Sequence, residues 1–379
     1  MIRFKTPLYE LSPENGSPMN KHLLDRVPEK IRKILGNGKP PCLLSGKDVF
    51  SALKDEKLII MGCNPRVKHV IPGIMRAAEE LDAVVAFELT RTEGGLDGGY
   101  TGQTPEIFCN TIFEYARKYN FTRPFIIHGD HITIQDTGTE EFSAASDLIR
   151  AQIEAGYTSF ALDASFNPVS KNIEIVSRLA EQVTCHDYGL EVELGEARRV
   201  GEAPPLTTVS EAEKFLAGLL GKGVKPQLLS INNGSKRGNY LEGEVVKIDL
   251  TRTLQIYRVA VSYGLSGLVQ HGITGTPLHL VGRLADYGIR KGNIGTLWQN
   301  VAHAGLPLEL MDAMRLWARE NRKDIKYATR IFKSEIDTIP EKCALQIHDM
   351  AYREAREFLN AFNAKGSASK LARTMLENR

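Results

Sequence analysis

From residue 57 onward one unit recurs along the chain: a short apolar run, a polar or glycine-containing turn, then a stretch with apolar residues at helical spacing. The runs at 57–63, 83–90, 124–129, 159–163, 190–194, 227–231, 267–270 and 289–294 predict strands. Helices are predicted between them, over 67–80, 105–119, 140–155, 170–185, 209–220, 250–263 and 277–285. Strands that alternate with helices are parallel and joined by right-handed crossovers. Eight of them over about 250 residues fit a closed (β/α)8 TIM barrel of the α/β class. An open doubly wound sheet is the alternative, but no glycine-rich dinucleotide fingerprint follows the first strand.

Three regions follow from this pattern. Residues 1–55 form an N-terminal leader, with Pro and Gly punctuation and a short helix over 20–35 expected against the outside of the barrel. Residues 56–300 are the barrel. Residues 301–379 turn charged and helical through 306–321, 324–334 and 340–363, an extension expected to pack on the barrel or a second subunit, with 364–379 free to fray.

Nearly every predicted strand is apolar along its body and polar at its carboxyl end, where a barrel gathers its chemistry into one mouth. Those ends offer Asn64, Glu88 with Arg91, Asp130 with His131, Asp163 with Ser165, Glu193 with Glu196, Asn232 with Asn233, His271, and Asn293 with Thr296. The densest is the run Phe125-Ile-Ile-His-Gly-Asp-His131. Side chains alternate along a strand, so His128 and Asp130 share a face, and His131 takes the other face or begins the loop. Such a group fits either a metal-binding imidazole beside a proton-moving carboxylate or a structural hydrogen-bonded cluster. Asp163 and Ser165 also suit helix capping. His69, His186, His279 and His303 fall in or beside helical patterns and read as structural.

Composition narrows the partners. Net charge is only +2 and no basic stripe with interleaved aromatics appears, so a nucleic-acid partner is not expected. The five cysteines are scattered without a CxxC pair and read as reduced thiols. No apolar run reaches membrane-spanning length and the first residues lack the apolar core of a signal peptide, so a cytoplasmic protein without a membrane partner is expected.

Four stretches, His128-Gly-Asp-His131, Leu190-Glu-Val-Glu-Leu-Gly195, Gln270-His-Gly-Ile-Thr-Gly275 and Lys291-Gly-Asn-Ile-Gly-Thr296, match in order and strand position. Together they resemble the metal-dependent class II aldolases of fructose and tagatose bisphosphates, over residues 58–297. A second set, Gly98-Gly-Tyr-Thr-Gly-Gln-Thr-Pro105, Gly129-Asp-His131 and Leu162-Asp-Ala-Ser165, resembles the accessory subunit of bacterial tagatose-bisphosphate aldolase.

The first resemblance implies an aldehyde-lyase that reversibly cleaves a ketose phosphate, or a related anionic ketose, into a three-carbon ketone such as dihydroxyacetone phosphate and an aldehyde. It makes His131 and His271 metal ligands, with Glu193 an additional or alternate one. Asn233 stands where the family has a third histidine, so the divalent ion is expected to be zinc first, with manganese or another harder ion as the alternative. Asp130 becomes the catalytic acid and base, and Glu202 the second proton carrier, on a loop beside Arg198 and Arg199. Gly234, Lys236, Gly272, Thr274, Asn293 and Thr296 become the substrate and phosphate grip, with Gly295 where the family has an aspartate. No lysine other than Lys291, read at a strand edge, suits an imine mechanism. A homo-oligomer is expected. The second resemblance implies instead a non-catalytic subunit that stabilises a partner aldolase.

Overall fold

The computed structural model describes residues 22–36, 41–136, 138–195, 205–236 and 247–377. Eight parallel strands close into a barrel in sequence order: β1 (Ile60–Cys63), β2 (Val85–Thr90), β3 (Phe125–Thr133), β4 (Ser159–Asp163), β5 (Gly189–Leu194), β6 (Leu228–Ile231), β7 (Gly267–Gln270) and β8 (Ile289–Ile294). The strands are short and buried along almost their whole length, as expected where helices cover the outside and side chains fill the inside. The predicted helix at 277–285 is two short pieces, Leu278–Val281 and the 3-10 turn Leu284–Tyr287.

β3 departs from simple alternation. It is the longest strand, and its register with β4 shifts between Gly129 and Ile132. At that shift His131 adopts φ +42°, a conformation uncommon for a non-glycine residue. The extra residue of this bulge lets Asp130 and His131, neighbours in sequence, both reach the mouth.

The flanking segments close the opposite end. Within the leader, residues 41–45 run beneath β3 and β4: Phe125 N–H donates to Cys42 O, Leu44 N–H to Phe125 O, and Thr158 Oγ1 to Leu44 O. This part of the leader therefore plugs the barrel rather than lying outside it, and helix Gly46–Ala52 follows, capped by Ser45. The C-terminal extension packs on the barrel. Helix Glu341–Ala361 buries Ile347, Ala351, Ala355, Phe358 and Leu359, one stripe at helical spacing. It crosses helix Ile71–Glu80 so closely that a Cβ on Gly73 would stand 2.2 Å from the His348 carbonyl. Where fraying was expected, residues 367–377 form the helix Ser367–Glu377 with Leu371 and Ala372 buried, and Ser367 Oγ accepts from Val84 N–H just before β2. Fully buried Phe362 lies under Gly292 of β8. No helix among the described residues is long and apolar enough to cross a membrane.

Candidate active site

The inward residues stack in two polar layers. The lower one is a buried charge cluster: Lys291 on β8, wholly enclosed, lies 2.9 Å from Glu88 Oε2 on β2 and 3.0 Å from Glu191 Oε2 on β5. His128 Nε2 is 3.4 Å from the same Glu191 oxygen, and its Nδ1 is 2.9 Å from Ser159 Oγ. Burial pushes both glutamates up, Glu88 the further. Burial works against the Lys291 charge, but Glu191 and Glu88 outweigh it and hold the ammonium protonated. Lys291 is thus not at an edge, since a closed barrel has none, and its nitrogen carries no free lone pair for imine chemistry. Glu88, expected at the mouth, belongs to this layer. The signal in the sequence was an ionisable residue two positions below a mouth residue on four strands: His128 below Asp130, Glu191 below Glu193, Lys291 below Asn293, and Glu88 below Thr90.

Above it lies the mouth. Asp130 is buried with both oxygens held: Oδ1 accepts from Asn293 Nδ2 at 2.9 Å and Oδ2 from Asn64 Nδ2 at 3.2 Å. Burial alone would raise this carboxyl, but His131, Lys291 and His271 outweigh it and bring it to about 2. His131 Nδ1 sits 2.5 Å from Glu193 Oε1 and 3.3 Å from Asp163 Oδ2. Burial opposes an imidazolium there, yet Glu193 and Asp130 push His131 well up. Glu193 is itself pushed up to about 7, by burial and then by Asp163. His271 faces His131 with ring centroids 4.3 Å apart, and its Nε2 lies 2.9 Å from Ser230 Oγ.

These groups form overlapping sets whose ligand atoms lie within 4.8 Å of one another: Asp130, His131 and His271; His131, Asp163 and Glu193; Glu191, Glu193 and His271. His131 and His271 share a set with Asp130, while Glu193 shares a set with each histidine separately and not with both at once. Asp163 joins them while one of its oxygens also accepts from Ser165 N–H and Oγ–H, so it serves both the turn and the site. Asn233 is buried nearby but its amide is engaged: Nδ2 donates to Gln270 Oε1 at 2.7 Å, and Oδ1 accepts from Gln270 Nε2 at 3.2 Å.

The expected grip residues divide. The loops after β6 and β7 touch, with Gly272 packed on the Lys236 carbonyl and Gly234 on that of Lys247. Thr274 Oγ1 accepts from Leu297 N–H at 3.3 Å, in the first turn of helix Thr296–Gly305. Asn293 instead points to Asp130. Glu202, Arg198, Arg199 and Glu196 lie outside the described residues. Arg91 turns to the rim, pairing with Glu141.

The fold matches solved structures closely in extent but not in sequence. A putative fructose-1,6-bisphosphate aldolase from Coccidioides immitis superposes with a TM-score of 0.62 at 18% identity, over 86% of this chain and 98% of that one. The YdjI aldolase from Escherichia coli K12 gives 0.58 at 20%, over 85% and 98%. In sequence, the fructose-bisphosphate aldolase of Geobacillus stearothermophilus is 27% identical over 262 residues, 67% of this chain and 81% of that protein. The D-tagatose-1,6-bisphosphate aldolase subunit GatZ of Escherichia coli O1:K1 / APEC is 33% identical over 96 residues, 24% of this chain and 23% of GatZ. Residues 44–355, the barrel with the end of the leader and most of the C-terminal extension, match the sequence profile described as fructose-bisphosphate aldolase class-II, so the chain belongs to the class II fructose-bisphosphate aldolase family.

Proposed function

We propose that the chain is a metal-dependent aldehyde-lyase that reversibly cleaves a phosphorylated or otherwise anionic ketose into a three-carbon ketone and an aldehyde. The observation that carries this reading is the bulge on β3, which sets the Asp130 carboxylate beside the His131, His271 and Glu193 donors in one buried mouth. A strained backbone and several ionisable groups at one strand end are costly, and a merely structural barrel has no need of them.

The donor set fits a divalent cation: two imidazoles and at least one carboxylate, which suits zinc and tolerates a harder ion. His131, His271 and Glu193 would hold it, with Asp163 a further carboxylate within reach of His131 and Glu193, and Asn233 could offer only its Oδ1, which already accepts from Gln270. A cation there supplies Lewis acidity towards the carbonyl and hydroxyl oxygens of a ketose, where charge develops as the carbon bond breaks. The chain's own part is proton transfer and positioning. Asp130, held ionised and oriented by Asn64 and Asn293, takes the proton of the hydroxyl that becomes the aldehyde and returns it during condensation. Glu202 is assigned the proton exchanged on the ketone carbon. Gly234, Lys236, Gly272, Thr274 and Thr296 are assigned the phosphate. The reading takes the protein as a cytoplasmic homo-oligomer.

A second reading, an accessory subunit that stabilises a partner aldolase, rests on Asn233. The family's third histidine is replaced by an amide that is hydrogen-bonded to Gln270. Metal analysis of the purified protein, paired with an assay of aldehyde release from a panel of ketose phosphates with and without chelator, separates the two. Chelator-sensitive cleavage with one metal per chain supports the enzyme; a metal-free, inert protein refutes it and favours the accessory subunit.

A further inference from the structure

The corner of the mouth between β8, β1 and β2 carries a side chain that none of the assigned roles uses. Arg66, two residues beyond Asn64, is mostly enclosed, with its side chain 15% exposed. Its Nε donates to Glu93 Oε1 at 2.7 Å and its Nη1 to Gln299 Oε1 at 2.7 Å, so two sides of the fork are braced by different helices. Glu93 is buried and fixed in turn by Tyr100 Oη–H, Asn64 and the backbone N–H of Thr90. The remaining nitrogen, Nη2, makes no hydrogen bond to the described residues. It lies against Gly295, where a Cβ would stand 2.9 Å from it.

Gly295 directly precedes helix Thr296–Gly305 and has no side chain to cap it. Any larger residue at 295 would contest the space of Nη2. An aspartate there would set a carboxylate against the guanidinium and fill the corner with negative charge. With glycine at 295, the corner is open to the guanidinium that arrives from the end of β1. The carboxylates whose charge Arg66 feels are Glu93 and Asp324, and Lys326, 5.7 Å from the ring centroid of Tyr100, brings a second cation to the same aromatic that Arg66 approaches at 5.8 Å.

We propose that Arg66 is a specificity-determining residue, its Nη2 donating to the phosphate-type oxyanion of the ketose that sits beside Thr296. This rests on the aldolase reading for the identity of the substrate, but not for the presence of an anion. A guanidinium already braced on two sides loses little side-chain freedom when it binds, and a bond from its remaining Nη2 to a phosphate oxygen is charge-assisted. Asn64 links this corner to the chemistry, since one amide nitrogen reaches both Glu93 Oε2 at 3.0 Å and Asp130 Oδ2 at 3.2 Å. An anion seated on Arg66 is thereby registered against the proton-transferring carboxylate.

Calorimetric titration of inorganic phosphate into the full-length protein, alongside KM and kcat for the ketose phosphate it cleaves, tests this. Arg66→Met should weaken phosphate binding and raise KM by about 10- to 100-fold, the range of a hydrogen bond between charged groups, while kcat holds. Arg66→Lys should recover part of the loss. Gly295→Ala, which leaves the Arg66–Glu93 pair in place but crowds Nη2, should weaken phosphate in the same direction and guards against a folding defect in Arg66→Met. Wild-type phosphate affinity in Arg66→Met, or no phosphate binding by the wild type, overturns the assignment. If the wild type binds phosphate through Arg66 yet cleaves no ketose, the aldolase reading fails and the anion site stands. If it cleaves with a KM indifferent to Arg66, the reverse holds.

Discussion

Lys291→Met tests whether the barrel floor is the coupled charge cluster that the distances describe. Methionine matches the lysine stem in length, so the substitution removes a charge without opening a large cavity. What it leaves is two carboxyls, Glu88 and Glu191, in a layer with no solvent contact, each deprived of an ammonium at 2.9 or 3.0 Å. Removing one partner of a buried pair costs about 3–5 kcal/mol, a large part of the roughly 5–15 kcal/mol that holds a typical domain folded. The loss should depend on pH in a defined direction. Burial raises both glutamates above their unfolded values. The folded variant therefore binds more protons than the unfolded chain between those values, and its stability recovers as pH falls through the folded value. The companion triple variant Lys291→Met, Glu88→Gln, Glu191→Gln removes every charge at once and should restore most of the loss. Urea unfolding followed by far-UV circular dichroism between about pH 5 and pH 8 measures all of this. A loss under about 1 kcal/mol for the single variant, or a triple variant no better than the single one, would refute the cluster as an electrostatic unit.

Four further outcomes are expected. His271→Ala should abolish cleavage and metal uptake while the far-UV spectrum stays that of the wild type; retained activity would sink the ligand assignment. Asn233→His should tighten zinc about tenfold or more, because an imidazole replaces an amide already paired with Gln270, and unchanged metal content would show that this position does not face the ion. Gly73→Ala should cost about 1–3 kcal/mol in thermal or urea unfolding, since its new Cβ meets the backbone of helix Glu341–Ala361, and a neutral result would mean the two helices separate freely. Burial holds His303 and His348 down to about 4, so between the ordinary imidazole value and that one the unfolded chain binds protons the folded chain refuses. Their contribution is intact above this window and declines as pH falls through it, by on the order of 1 kcal/mol each after discounting for partial exposure, and replacing both with Leu should flatten that decline.

The barrel was legible because parallel strands buried on both faces read as apolar runs with polar ends, and that pattern survives without knowledge of any contact. Mouth residues were legible for the same reason: Asp130, His131, Glu193 and His271 each sit at a strand's carboxyl end. Depth was not. Whether Glu88 tops β2 or lies a layer down depends on the stagger of strands around the barrel, which no single strand encodes. Lys291 was misread as an edge residue because an edge is a property of the closed sheet. The fraying expected after residue 364 failed on a long-range bond, Ser367 to Val84, whose partner is far away in sequence. Asn233 was recognised as a departure, but its pairing with Gln270 needed β6 and β7 to be adjacent.

The bulge on β3 shows how far pattern alone can carry a site. Strict alternation would send His131 to the face opposite Asp130, and a one-residue shift of register returns it to the mouth. The sequence places glycine at 129, where a Cβ would collide with Gln152 Oε1, yet the positive φ falls on His131 itself. A glycine at 131 would adopt that conformation without steric cost, so the histidine stands against a backbone preference. The side chain must supply what the backbone loses, and its neighbours Glu193, Asp163, Asp130 and His271 are all groups whose interaction with an imidazole is strong in a buried setting. His131→Gly should therefore relax the backbone yet remove metal uptake. If it gains stability while losing metal, the strain at β3 is maintained for the site. If it loses both, the imidazole holds the barrel mouth together whether or not an ion is bound.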